Sequence, residues 1–101
     1  YSYQDCTGLQ PQWATEFALL EKIFPNAKVG FGEIGTSSTA APTSVQQSLI
    51  TTYYPMADQL NDPRFIGGYF WWNYAEQMGP YQTSSYWQLL RKTIAPLRAP
   101  N

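Results

Sequence analysis

Val29-Gly30-Phe31-Gly32-Glu33-Ile34-Gly35-Thr36 is a short apolar run that carries one carboxylate near its end. An ionised side chain is costly to bury without partners, so a core strand that carries an acid usually carries it where the strand opens into a cleft. A second run of the same kind, Phe65-Ile66-Gly67-Gly68-Tyr69-Phe70-Trp71-Trp72-Asn73-Tyr74, follows after a helix-length gap. Asn26 and the small polar stretch from Thr36 to Thr43 bound the first run, and Asn61-Asp62-Pro63 precedes the second. Strands are therefore expected over Lys28–Gly35 and Phe65–Asn73. The second is almost continuously apolar, as when protein covers both faces of a strand.

Helical spacing surrounds these runs. Trp13, Phe17, Leu20 and Phe24 recur at intervals of four, three and four, which predicts an amphipathic helix from Gln12 to Phe24 that Pro25-Asn26 stops. Val45, Leu49, Tyr53, Met56 and Leu60 predict another from about Ser44 to Leu60, kinked or broken at Pro55, where a backbone donor is missing. Gln77-Met78-Gly79-Pro80 reads as a loop. A third helix, capped by Thr83 or Ser84, runs through Tyr86, Trp87, Leu90 and Ile94, with Arg91 and Lys92 near its C-terminal end and Pro96 beyond it. Trp13 and Trp87, at helical spacing with other apolar residues, read as core. With Tyr1 to Asp5 as the tail of a strand, the order is strand and helix three times over. That order implies an α/β fold of three βα units, with parallel strands and right-handed crossovers. Three strands make a poor sheet with exposed edges, so the chain reads as the last part of a larger α/β protein.

Composition narrows the function classes. At 101 residues the chain is one domain at most. Aromatic residues reach 17%, a high share, against only 13% charged. A net charge of −1 without a Lys/Arg cluster argues against nucleic acid and anionic membrane as partners. There is no stretch long enough to span a bilayer. There is no signal-peptide pattern either, and the opening Tyr1-Ser2-Tyr3 reads as the interior of a longer chain. The absence of histidine removes the commonest general base and transition-metal ligand, and neither a metal nor a cofactor is expected. Cys6, the single cysteine, is a free thiol in a loop or one half of a bridge with an upstream partner.

An acid on one run and paired indoles on the next suit a site that handles sugar rings, and the chain resembles a known group in that respect. Gly32-Glu33-Ile34-Gly35-Thr36, followed downstream by Gly67-Gly68-Tyr69-Phe70-Trp71-Trp72-Asn73-Tyr74, is similar to the C-terminal part of the clan A glycoside hydrolases, the cellulase and mannanase families in particular. The resemblance covers nearly the whole chain. It implies a partial (β/α)8 TIM barrel running from the end of the sixth strand, at Ser2-Tyr3, through the eighth helix. It further implies a secreted enzyme acting on β-linked polysaccharide or oligosaccharide. Glu33 resembles the nucleophile, a carboxylate that attacks the anomeric carbon to form a glycosyl-enzyme. Trp72 or Trp71 resembles the platform beneath the sugar, whose flat C–H face an indole can cover. Adjacent strand residues point to opposite faces, and the position nearer the strand end favours Trp72. Tyr3 resembles a tyrosine that steadies the nucleophile, and Asn73, Tyr74 and Glu76 are rim candidates for sugar hydroxyls.

Retaining hydrolysis also needs a second carboxyl, about 5–5.5 Å from the first. In the resembled families it lies upstream, usually as Asn-Glu, a pair that this chain lacks. The 101 residues alone are therefore expected to show no glycosidase turnover. Two other readings compete with hydrolysis: a non-catalytic carbohydrate-binding α/β protein using the same aromatics, and a structural βαβ domain in which Glu33 only makes a salt bridge.

Overall fold

The computed structural model describes residues 6–36, 41–67, 70–72, 74–80 and 82–97. Among these, the elements are five helices: α1 (Leu9–Ile23), α2 (Thr43–Tyr53), α3 (Met56–Leu60), α4 (Tyr74–Gln77) and α5 (Ser85–Ile94). Leu9, Trp13 and Phe17, spaced by four, form the stripe by which α1 meets the core. Gly8 precedes the helix in the left-handed region at φ 64°, so α1 begins three residues before the position that spacing alone indicates. In α2 the buried stripe is Gln46, Leu49, Ile50 and Tyr53. Pro55 has no N–H to continue that ladder, and the chain restarts as α3 at Met56. Asn61, at φ 49°, follows α3 in the left-handed conformation that asparagine tolerates. The Ser84 side chain accepts from the Trp87 N–H at 3.3 Å and caps α5, which packs on α2. Trp13 and Trp87 pack, partly buried, against the core.

The α/β fold expected from the sequence, a partial (β/α)8 TIM barrel of three βα units, is not what the chain forms. Among the described residues there is no sheet, and the strands expected over Lys28–Gly35 and Phe65–Asn73 reduce to two isolated parallel bridges, Val29 with Phe65 and Ile34 with Trp71. The expected strand tail from Tyr1 to Asp5 lies outside the described residues. Gln77, expected in a loop, closes α4 instead.

Backbone hydrogen bonds show why pairing fails between the bridges. Val29 donates to Arg64 O at 2.9 Å and accepts from the Ile66 N–H at 2.8 Å. A regular parallel ladder would next join Phe31 N–H to Ile66 O. Phe31 instead reaches Gly67 O, at 2.7 Å, where Gly67 has φ 89°. Five residue steps separate Val29 from Ile34, while six separate Phe65 from Trp71, so the second segment carries one extra residue, a bulge. The first segment slips as well. Val29 and Phe31 turn their N–H groups to the partner, and in a regular strand Glu33 would be next. Ile34 takes that place, with its N–H on Phe70 O at 2.8 Å and its C=O accepting from the Trp72 N–H at 2.7 Å. Glycine permits both irregularities and weakens the intervening strand. At Gly30 a Cβ would lie 2.7 Å from Gly67 O, so the backbones approach more closely there than any other residue allows.

The core is aromatic around Phe31, whose ring lies 4.8 Å from Trp13, 5.0 Å from Tyr53 and 5.4 Å from both Phe17 and Phe65 between centroids. Trp13 Nε1–H donates to Tyr53 Oη at 3.1 Å, so the polar atoms of both rings are paired inside the cluster. Arg64 clasps the end of α1, donating from Nη2 to Phe24 O at 2.8 Å and from Nε to Ala27 O at 3.0 Å. This clasp joins the helix end to the start of the second segment.

Candidate functional site

The slip between Phe31 and Ile34 decides where Glu33 goes. Val29, Phe31 and Ile34 are all buried, and each directs backbone groups to the partner segment. In an unbroken strand Glu33 would have followed Val29 and Phe31 onto the buried face. With the slip, Ile34 takes the core position and Glu33 stays half-buried beside it. The desolvation cost that a core carboxylate would meet is thereby avoided.

The partner segment alternates around the same bridge. Trp71 pairs with Ile34 and is 8% exposed, whereas Phe70 is 72% and Trp72 46% exposed. Phe70 and Trp72 flank Trp71 and share the face opposite to it. In the register of Ile34 with Trp71, Glu33 stands across from Phe70 and Gly35 across from Trp72. A Cβ on Gly35 would lie 3.0 Å from Trp72 Cβ, so glycine there leaves room for the indole. The bridge thus carries two exposed rings on one segment and, next to Ile34 on the other, the half-buried Glu33.

Beneath that face runs a buried polar chain. Trp71 Nε1–H donates to Gln77 Oε1 at 2.7 Å, and Gln77 Nε2–H donates to Thr36 Oγ1 at 3.2 Å. Thr36, Gln77 and Trp71 are all buried, and hydrogen bonds in such surroundings are costly to lose. The chain ties α4 to the residues just after Glu33.

Of the residues singled out from sequence, Glu33 is half-buried next to Ile34, Trp72 is exposed next to Trp71, and Trp71 belongs to the core. Glu76, on α4, is exposed, as is Tyr74. Tyr3 and Asn73 lie outside the described residues. Sequence reading missed Phe70, whose outward position follows from alternation once Trp71 is known to point inward, and it missed Gln77 and Thr36, which carry no motif.

Among the described residues no group of three or more His, Cys, Asp or Glu side chains is placed to hold a metal ion, and no helix is long and apolar enough to cross a membrane. The ion pair found among them, Glu21 with Arg64 at 3.7 Å, lies in the clasp at the end of α1. Comparison with protein-family models, with curated proteins and with solved structures finds no match.

Proposed function

We propose that the chain supplies the nucleophile and the sugar platform of a retaining glycoside hydrolase acting on β-linked polysaccharide of the β-glucan or β-mannan class. The observation that carries this reading is the exposed pair Phe70 and Trp72 flanking Trp71, with Glu33 next to Ile34 across the bridge. Exposed rings cover the C–H face of a pyranose with apolar area. In this reading the carboxylate of Glu33, across the bridge from them, acts on the anomeric carbon of the bound sugar. Attack by a Glu33 oxygen on that carbon forms the glycosyl–enzyme ester as the departing oxygen leaves, and water then cleaves the ester. The departing oxygen needs a proton from a second carboxyl group. The resemblance gives that role to a residue outside this chain, and the chain by itself binds sugar without turning it over.

Calorimetric titration with cellohexaose and with mannohexaose tests the reading. Binding of one or both, weakened at least about tenfold by Trp72→Ala through lost ring contact, supports it. Absence of binding to either sugar, or binding indifferent to Trp72→Ala, counts against it.

A further inference from the structure

Two adjacent indoles pose a problem of register. One residue of slip moves every side chain of a paired segment to the opposite face, and glycine-rich segments resist such slips poorly. Here the segment already carries an extra residue at the bulge by Gly67, with Gly68 beside it. Apolar area does not select Trp71, since either indole would bury about the same amount and the slip that turned Trp72 inward would carry Phe70 with it. What distinguishes the two arrangements is the polar atom of the buried ring. Trp71 meets a fixed acceptor, Gln77 Oε1 at 2.7 Å, and the Gln77 amide is itself held by Thr36 Oγ1 at 3.2 Å. Gln77 is only 7% exposed, so its carbonyl has little recourse to water if the indole leaves, and an indole N–H buried without a partner carries the same kind of penalty.

We propose that Gln77 is a positioning residue that locks the register of the second segment, holding Trp71 in the core and so selecting Trp72 as the indole presented on the outward face. The lock stands on the buried hydrogen-bond chain alone. Its consequence for sugar recognition rests on the function proposed above. Gln77→Met keeps the length and volume of the side chain while removing both polar arms. Without them the two registers approach equal weight, and the outward face presents a mixture of Trp72 and Trp71.

Indole N–H resonances, assigned with Trp71→Phe and Trp72→Phe variants, report the register directly. In the unaltered chain the Trp71 N–H exchanges with solvent at least about tenfold more slowly than that of Trp72, as burial and hydrogen bonding dictate. In Gln77→Met the difference collapses, or each indole gives two signals in slow exchange. Leu90→Ala, a core truncation on α5 away from this chain of bonds, leaves the Trp71-to-Trp72 ratio unchanged, which separates the lock from general loosening. Retention of full Trp71 protection in Gln77→Met overturns the proposal, and so does an equal collapse in Leu90→Ala. Cellohexaose and mannohexaose titrated into the same samples decide the other matter separately. If the register collapses but the unaltered chain binds neither sugar, the lock stands and the glycosidase reading falls.

Discussion

The two bridges join the same pair of segments, yet their surroundings differ. At Val29–Phe65 the neighbouring Phe31 ring touches four others within 5.4 Å, and the Arg64 clasp adds three hydrogen bonds to the backbone at the end of α1. At Ile34–Trp71 the core side holds the buried Ile34 and Trp71 and a chain of side-chain hydrogen bonds through Gln77 to Thr36, and the outer side presents Phe70 and Trp72 to solvent. The first end is over-determined by packing, so removing any one contact leaves several others. The second leaves two large rings, Phe70 and Trp72, exposed. The densest ring packing lies at one end of the pair, and the exposed rings of the proposed sugar face lie at the other.

Truncating the hub should show the largest difference. Phe31→Ala is expected to cost about 3–5 kcal/mol, as buried Phe→Ala changes do. Trp72→Ala is expected to stay within about 0.5 kcal/mol of the unaltered chain, as exposed substitutions do. Urea denaturation followed by circular dichroism measures both, and comparable losses would erase the contrast between the ends.

A smaller effect separates two glycines of the first segment. Gly30→Ala brings a methyl within 2.7 Å of Gly67 O and is expected to cost about 1–3 kcal/mol, in the range of overpacked sites. Gly32→Ala meets nothing within 4 Å and should change stability by no more than about 0.5 kcal/mol. The same denaturation series distinguishes them, and a Gly32→Ala loss matching that of Gly30→Ala would contradict the bulge geometry.

The subtlest expectation concerns the clasp. Burial pushes the Glu21 carboxyl above its ordinary value of 4.5, a hydrogen bond and the negative charge of Asp62 push the same way, and Arg64 opposes them. The folded state then holds the Glu21 proton more tightly than the unfolded chain does. The stability this contributes is fully present below about pH 4.5 and is lost as pH rises through the raised folded-state value. Thermal unfolding between pH 4 and pH 7 should therefore show a downward slope that Glu21→Gln flattens. Identical slopes in the two proteins would remove Glu21 from the account.

The helices were largely legible in the sequence because their causes are local. The spacing of Trp13 and Phe17, the missing donor of Pro55 and the Ser84 cap each act within a turn or two. The strands were not, because an apolar run records burial but not the phase of the backbone. Gly30, Gly32 and Gly67 lie within runs that read as strand, yet the close approach at Gly30 and the positive φ at Gly67 reduce the ladder to two bridges. Glu33 drew notice as an acid in an apolar run, but its escape from the core depends on a slip that no residue type announces. The inward Trp71 meets its hydrogen-bond partner in Gln77, six positions away and outside any motif.

The claim on which the functional account turns is that Glu33 is a nucleophile, and trapping tests it without the missing acid. A fluorinated aryl glucoside or mannoside with a dinitrophenolate leaving group needs no proton on departure, because the phenolate carries off the bonding electrons as a Glu33 oxygen bonds to the anomeric carbon. The neighbouring fluorine slows hydrolysis of the ester, so the adduct accumulates for peptide mass spectrometry. The account predicts a single glycosyl adduct on Glu33 that is absent from Glu33→Gln. No adduct with either sugar, or an adduct on Glu76 that persists in Glu33→Gln, would contradict it.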